Sequence, residues 1–359
     1  MAGSTVRSRL APEALDAVFG ALRDRVAAGD IPAAALAIGD AGGAIRSETF
    51  AARPRERIDP QSYFFLASLT KPIVATAAMQ LVEAGSLDLH GPIARHLPQF
   101  ATAAKEQVSL WHLLTHTSGV PDIPTDVIRR ERPSAARMTQ MTLDAPLNFA
   151  PGERWEYCSA SFYLIGRLIE KQSGLPYPEY LRRRLFEPLG MQTTFDPRRS
   201  GRPLVRVHGV GAERWLKRYF LLRYLVSTSI PGGGLWGTLN DLLRFGAALL
   251  RPSRTEGGYL PLSPATAALM MEDHVGGVVG QVDGETRPVH FGLGWGKPTL
   301  MRKAPGSPRV VSHGGATGTR LWIDPDSELV FVFFTNQWDP NRDPEVEALS
   351  GTYRALAGG

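Results

Sequence analysis

The spacing of apolar residues changes along the chain, and each change predicts a different kind of structure. Pro12–Ala28 carries apolar residues three to four positions apart and predicts an amphipathic helix. Ile31–Ile38 and Ala44–Phe50 then predict two strands joined by a turn. From about Lys71 to Met191 the helical spacing dominates, although long loops interrupt it. Within it, the polar and proline-bearing stretch 121–137 is predicted to be irregular.

The C-terminal third of the chain favours strands again. Short strands are predicted at Phe291–Gly296, Arg309–Ser312, Arg320–Asp324 and Glu328–Thr335. Strands towards both ends, with helices between them, indicate one sheet assembled from both termini and a helical insertion. Before these strands, Trp215–Val226 is apolar nearly all round with basic residues interspersed. It predicts either a packed helix or a lid over a hydrophobic pocket.

Composition and charge narrow the class of protein. The 359 residues are 43% hydrophobic and 21% charged, ordinary values for a globular chain with one large domain or two smaller ones. A net charge of +5 without a basic stripe gives no reason to expect nucleic-acid binding. The single cysteine, Cys158, rules out an internal disulfide framework. Since the N-terminus lacks a secretory signal pattern and no stretch is long enough to span a membrane, we expect a cytoplasmic protein.

A serine followed three residues later by a lysine is the first candidate for chemistry. Ser68 and Lys71 lie where a helix is predicted to begin, because Pro72 is tolerated only in a first helical turn. Residues three apart share one face of a helix, so the hydroxyl and the amine can meet. Most such pairs are a cap followed by a solvated lysine. Here lysine is scarce, and no other serine in the chain has a lysine three residues on.

Two further stretches supply groups that could complete a site. Tyr157, in a turn just before a predicted helix, carries a hydroxyl that could relay a proton beside Ser68 and Lys71. An apolar strand ends in His313-Gly314-Gly315, and glycines at a strand end often mark close approach of a ligand to the backbone. A backbone N–H there, paired with that of Ser68, would form an oxyanion hole.

These three pieces together resemble a known group of enzymes. Ser68–Lys71, Tyr157–Ser159 and His313–Gly315, in this order and at these separations, resemble the serine β-lactamase-related superfamily. More narrowly, the chain is similar to the class C β-lactamase-like branch, which includes the cytosolic carboxylesterases of family VIII. The resemblance runs from about residue 31 to 335, with further matching stretches at His112–Gly119, Pro151–Glu153 and Gly232–Trp236.

The resemblance implies a fold of the β-lactamase and penicillin-binding-protein type, in the α/β (α+β) class. An antiparallel sheet flanked by helices would form one domain, and a second domain would be all-helical. We assign residues 1–71 and 205–359 to the α/β domain and residues 72–204 to the mainly helical domain, with approximate boundaries. The active site is expected in the cleft between them.

The resemblance also implies roles for individual residues. Ser68 would be the acylated nucleophile, and Lys71 and Tyr157 would share the role of general base, with the order of proton transfer left open. The backbone N–H groups of Ser68 and Ala316 would bind the oxyanion. The residues expected to contact the substrate are Ser159, His313, Gly314 and Gly315.

Two departures from the family pattern bear on the substrate. Ser159 stands where the family's tyrosine motif commonly ends in asparagine, and a serine hydroxyl is shorter with one donor. His313 stands where β-lactamases have the lysine of Lys-Thr-Gly, which helps to hold a substrate carboxylate. Because histidine is mostly neutral at pH 7, a fixed cation for carboxylate capture is missing. Both changes favour small, neutral ester substrates over β-lactams or peptidoglycan termini.

The leading prediction is therefore a serine hydrolase that cleaves carboxylic esters with short acyl chains through an acyl-enzyme. An acyltransferase using the same intermediate, a β-lactamase or D-amino-acid peptidase, and a non-catalytic ligand-binding relative remain as alternatives. No cofactor and no metal are expected. His112 and His116 have helical spacing, but Leu113 occupies the position where a His-Glu-x-x-His motif needs glutamate.

Overall fold

The computed structural model describes residues 10–52, 58–102, 104–209, 215–252, 259–301 and 304–357. The strands are β1 (Ala33–Asp40), β2 (Gly43–Ala51), β3 (Phe64–Phe65), β4 (Trp236–Gly237), β5 (Val279–Val282), β6 (Glu285–Pro288), β7 (Val311–Gly314), β8 (Arg320–Asp324) and β9 (Leu329–Thr335). The helices are α1 (Pro12–Ala27), α2 (Thr70–Glu83), α3 (Leu110–Leu114), α4 (Thr125–Glu131), α5 (Ala135–Asp144), α6 (Ser161–Ser173), α7 (Tyr177–Leu181), α8 (Trp215–Thr228), α9 (Leu239–Leu250), α10 (Pro264–Met271) and α11 (Asp343–Ala357).

A five-stranded antiparallel sheet joins the two ends of the chain. Its strand order is β2-β1-β9-β8-β7, and β1 pairs with β9 so that Ala34 lies opposite Thr335. β9 is buried along its whole length and β1 along all but its last residue, because helices cover both faces of the sheet. This confirms the predicted sheet assembled from both termini.

Two hydrophobic layers hold the sheet in place. On one face, α1 and α11 pack through residues such as Phe19 and Leu349 against Leu36 and Trp322. On the other face, α9 packs against β1, β8 and β9. Burying large apolar side chains contributes roughly 1.5–3 kcal/mol each, so these layers supply much of the driving force for folding.

The chain between the sheet strands is largely helical. α2 is buried from Thr70 to Leu81, and α6 packs along it. The domain boundaries at residues 72 and 204 stay a prediction. Among the described helices, none combines the length and the apolar character that crossing a lipid bilayer requires.

Some elements differ from the prediction. Residues 121–137 are not irregular throughout, since α4 lies within this stretch and α5 begins at Ala135, with Met138 and Leu143 buried in the core. Phe291–Gly296 is not a strand, because Gly292 N–H donates to Trp295 O and the chain turns back on itself. The β5–β6 hairpin was not predicted. Its mixed exposure pattern explains why, since little apolar alternation marks the two strands.

The helix predicted at Trp215–Val226 is confirmed as α8. Leu222 and Leu225 pack against a small cluster formed by Tyr63, Phe65, Ala67 and Trp236. Tyr219 and Phe220, by contrast, are about half exposed. One side of α8 therefore covers the segment that leads to Ser68, and the other side faces solvent.

Candidate active site

Ser68 lies in a 3-10 turn, Ala67–Leu69, between β3 and α2. Ala67 has φ +47°, a left-handed conformation that costs free energy for a residue with a Cβ and that clusters at functional sites. Two threonines of the turn after β7 bind the two residues that precede Ala67. Thr317 Oγ1 donates to Phe65 O (2.6 Å), and Thr319 Oγ1 donates to Leu66 O (2.9 Å).

Lys71 is fully buried, and its amine reaches Ser68. Nζ donates to Ser68 Oγ at 3.1 Å and to Gly232 O at 2.7 Å. Within the described residues no carboxylate pairs with this amine. The role of Gly232 could not be predicted from a glycine run alone. A Cβ there would lie 3.0 Å from Ser159 O and 3.6 Å from Lys71 Nζ, so glycine allows this close approach.

Tyr157 brings a third functional group to the same place. Lys71 Nζ lies 4.8 Å from the centre of the Tyr157 ring, and the tyrosine is 38% exposed. The phenol is thus accessible to solvent on one side and close to the buried amine on the other. The structure therefore brings Ser68, Lys71 and Tyr157 together, although they are distant in sequence.

His116 holds the loop that carries Tyr157. Its backbone carbonyl accepts from Glu156 N–H (2.9 Å), and its ring Nδ1 accepts from Cys158 N–H (3.1 Å). The two rings of His116 and Tyr157 lie 4.6 Å apart, centre to centre. Burial, with Lys71 and His313 nearby, lowers the pKa of His116 well below its usual value. The ring is therefore neutral, with Nδ1 as an acceptor.

His112 and His116 are four residues apart in sequence but do not share a helix. α3 ends at Leu114, and His116 has φ +60°, outside the helix. The ring of His112 instead turns back to Ser109, whose backbone N–H donates to Nδ1 at 3.1 Å. No group of three or more His, Cys, Asp and Glu side chains with metal-binding geometry occurs in the described residues.

Ser159 and Cys158 follow Tyr157 directly. Ser159 binds through its backbone, whereas Cys158 packs through its side chain. The backbone N–H groups of Ser159 and Ala160 donate to the two carboxylate oxygens of Asp122, at 3.2 and 2.9 Å. Asp122 thus fixes the start of α6, a contact for which no sequence motif provided a signal. Burial raises the pKa of the Cys158 thiol to about 12, so this cysteine is a protonated packing residue.

His313 lies at the end of β7 with its ring in the same region as Tyr157, at 6.2 Å between ring centres. Its Nδ1 lies 2.9 Å from Gly314 O, and because a carbonyl only accepts, Nδ1 carries the proton. Burial, with a smaller effect from Lys71, lowers the pKa of His313 to about 3. The imidazole is therefore uncharged at neutral pH.

The turn after β7 places backbone close to Ser68. At Gly315 an added Cβ would lie 2.3 Å from Leu66 O and 2.2 Å from Thr319 Oγ1, so only glycine fits. Ala316 follows directly. In the described part of the chain, the backbone N–H groups of Ser68 and Ala316 donate to no protein acceptor. An oxyanion-binding site needs free N–H donors of this kind, and the role of these two groups stays a prediction.

Comparisons with known proteins show what the chain is similar to. A family model described as Beta-lactamase matches residues 18–352. Esterase EstB of Burkholderia gladioli is 30% identical over 373 residues, covering 90% of this chain and 89% of EstB. Penicillin-binding protein 4 of Amycolatopsis lactamdurans is 30% identical over 328 residues, covering 85% of this chain and 81% of that protein. The crystal structure of a family VIII carboxylesterase superposes with a TM-score of 0.79 at 18% identity, covering 96% of this chain and 98% of that one.

Proposed function

The chain belongs to the β-lactamase family, in its serine β-lactamase-related, esterase-like branch, and we propose that it is a carboxylesterase that acts through a covalent acyl-enzyme on Ser68. The observation that carries this proposal is the contact between the buried Lys71 amine and Ser68 Oγ at 3.1 Å. An amine held against a hydroxyl, with no carboxylate partner in the described residues, is an arrangement that activates a nucleophile.

The proposed reaction proceeds in two steps. Ser68 Oγ attacks the ester carbonyl carbon and passes its proton to the base formed by Lys71 and Tyr157. The carbonyl oxygen becomes an oxyanion that the N–H groups of Ser68 and Ala316 bind. As the tetrahedral intermediate collapses, the ester C–O bond breaks and the leaving alcohol takes the proton. Water then attacks the acyl-enzyme by the same route, which releases the carboxylic acid and restores Ser68.

The substrate we propose has an uncharged acyl group of short length. Support comes from His313, which stands where β-lactamases place a lysine and which is neutral because its pKa is about 3. A neutral ring offers no fixed charge for a substrate carboxylate. The protein named Esterase EstB is also among the relatives at 30% identity.

A second candidate function is hydrolysis of β-lactams or of peptides ending in D-alanine. The similarity to Penicillin-binding protein 4, also at 30% identity, favours it. The same acyl-enzyme would serve that reaction, and only recognition of the substrate would differ. The neutral His313 ring is the observation that ranks it second.

A substrate panel separates these candidates. Hydrolysis of p-nitrophenyl acetate, butyrate and octanoate is compared with hydrolysis of nitrocefin and of a D-Ala-D-Ala peptide, each with wild type and Ser68→Ala. We expect the short esters to have the highest kcat/KM, with turnover abolished in Ser68→Ala. Faster turnover of nitrocefin or the peptide would favour the second candidate. Adding alcohols tests acyl transfer, because a transferase would form a new ester in place of the acid.

A further inference from the structure

The two candidate oxyanion donors belong to peptide groups whose carbonyls face other parts of the protein. The N–H of Ser68 shares a peptide group with the carbonyl of Ala67, and the N–H of Ala316 shares one with the carbonyl of Gly315. Each of these carbonyls accepts a hydrogen bond from a side chain. These side chains form a layer behind the oxyanion hole, and the role inferred for that layer rests on the proposed function.

Arg342 binds the peptide group that precedes Ala316. Its Nη2 donates to Gly315 O at 3.1 Å, beside the bond from Gly318 N–H to the same oxygen at 3.0 Å. The guanidinium is itself held, because its Nη1 donates to Glu345 Oε2 at 3.0 Å. Glu345 is 1% exposed and also accepts from Arg320. The positive charge therefore has a fixed position behind the turn.

Thr70 binds the peptide group that precedes Ser68 in a corresponding way. Its Oγ1 donates to Ala67 O at 2.7 Å. The Thr70 hydroxyl oxygen also accepts a hydrogen bond from Leu235 N–H at 3.1 Å, so its single proton points to Ala67 O. Thr70 is fully buried, and this geometry is accordingly fixed.

These contacts have a direct chemical consequence. The peptide bond has partial double-bond character, so a donor that binds the carbonyl oxygen draws electron density from the nitrogen. Hydrogen bonds in such chains strengthen one another. The N–H on the far side of each peptide group then becomes a stronger donor to an oxyanion. A fixed dipole or charge aimed at the developing negative charge also lowers the barrier.

We propose that Arg342 and Thr70 are positioning residues that orient and polarise the peptide groups before Ala316 and Ser68. In this role each side chain binds a peptide carbonyl and not the substrate. Each acts through the backbone, so each affects the transition state, where charge is on the oxygen, more than the bound substrate. A lost interaction of that kind lowers kcat and leaves KM unchanged.

The test compares Arg342→Ala with a matched control, Arg25→Ala. Both arginines pair with a glutamate of α11, and their side chains are 36% and 31% exposed. Arg25 contacts Glu347 and Asp30, away from the turn after β7. We expect Arg342→Ala to lower kcat about 10-fold, less than the 10²–10³-fold cost of losing an oxyanion donor outright. Arg342→Lys, which keeps the charge, is expected to recover part of the loss, and Arg25→Ala to match wild type.

A spectroscopic readout separates polarisation from a merely structural role. The infrared carbonyl stretch of a slowly hydrolysed cinnamoyl acyl-enzyme is expected to move to higher wavenumber in Arg342→Ala, because weaker donors polarise the carbonyl less. Thr70→Val should show the same shift, and Thr70→Ser, which keeps the hydroxyl, should not.

Wild-type kcat and an unmoved carbonyl band in Arg342→Ala and Thr70→Val would overturn the proposal. So would a loss of thermal stability with unchanged kcat in folded protein. If Arg342→Ala does not fold, kcat and the position of the carbonyl band are compared between Arg342→Lys and wild type instead. Ser68→Ala is measured in parallel. Turnover retained by Ser68→Ala would refute the proposed function itself, whereas an inactive Ser68→Ala beside a normal Arg342→Ala would refute only the role of Arg342.

Discussion

The two sides of the candidate site are built in different ways. On one side, Ser68 and Lys71 are three residues apart at the start of one helix, and their side chains meet because of local geometry. On the other side, the turn at 314–319 presents backbone groups, and its position depends on residues far along the chain. Thr317 and Thr319 bind the segment before Ser68, and Arg342 binds Gly315. A pair of reactive side chains close in sequence can be recognised as a motif. The position of a turn that depends on distant residues can be seen only in the folded structure.

The largest loss of activity is expected when Lys71 or Tyr157 loses its functional group. Lys71→Met should lower kcat/KM by about 10⁴-fold or more, since residues that act as one unit lose most of their effect together. Tyr157→Phe, which removes only the hydroxyl, should also cost several orders of magnitude. Ester hydrolysis under single-turnover conditions measures both.

Lys105→Met is the matched control for Lys71→Met. Lys105 is also buried, and its Nζ donates to Leu143 O away from Ser68. We expect this variant to retain ester hydrolysis while its stability changes. Equal losses of activity in the two variants would mean that Lys71 acts only through folding.

On the backbone side of the site, the turn at 314–319, one added methyl group is expected to reduce activity. Gly315→Ala would place a Cβ 2.3 Å from Leu66 O, so the turn must move away from the segment before Ser68. We expect kcat to fall by about 10²–10³-fold, the cost of a displaced oxyanion donor. Gly20→Ala is the control, because nothing lies within 4 Å of the added Cβ. An active Gly315→Ala enzyme would show that the turn is not needed in its present position.

The buried histidines His116 and His313 should make the folded protein less stable at acidic pH. Because the pKa of His313 is about 3 in the folded protein and its usual value is 6.5, the unfolded chain binds the proton first as pH falls. Stability is therefore lost below about pH 6.5 and levels off below about pH 3. His313 alone should cost about 2 kcal/mol between pH 7 and pH 5.

Urea unfolding of wild type and His313→Gln at pH 7 and pH 5 measures this effect. The substitution should flatten the pH dependence. The lowered carboxylate pKa values, such as that of Asp324, act only at lower pH because their usual values lie near 4. The same slope in both proteins would show that His313 does not carry the effect.

The sequence predicted much of this architecture for identifiable reasons. Continuous apolar runs indicated β1 and β9, and the order of three short motifs indicated the residues that meet at Ser68. The family comparison confirms the fold class and the family. The catalytic roles themselves remain predictions.

Other features were beyond the sequence because they depend on contacts between distant residues. Nothing in the chain indicated that Gly232 O would bind Lys71, that Asp122 would bind the backbone just before α6, or that Arg342 would reach Gly315. The contact between His116 and the loop that carries Tyr157 was beyond the sequence for the same reason. α3 ends before His116, whose ring is taken up by the loop that carries Tyr157.

If Ser68 is the nucleophile, it must form a covalent adduct, and intact-mass spectrometry detects such an adduct directly. Wild type and Ser68→Ala are incubated with a p-nitrophenyl phosphonate ester, and the adduct is mapped by peptide analysis. We predict one phosphonyl group on wild type, located on Ser68, and none on the folded Ser68→Ala variant. An adduct on both proteins, or on a residue other than Ser68 in wild type, would refute the role proposed for Ser68.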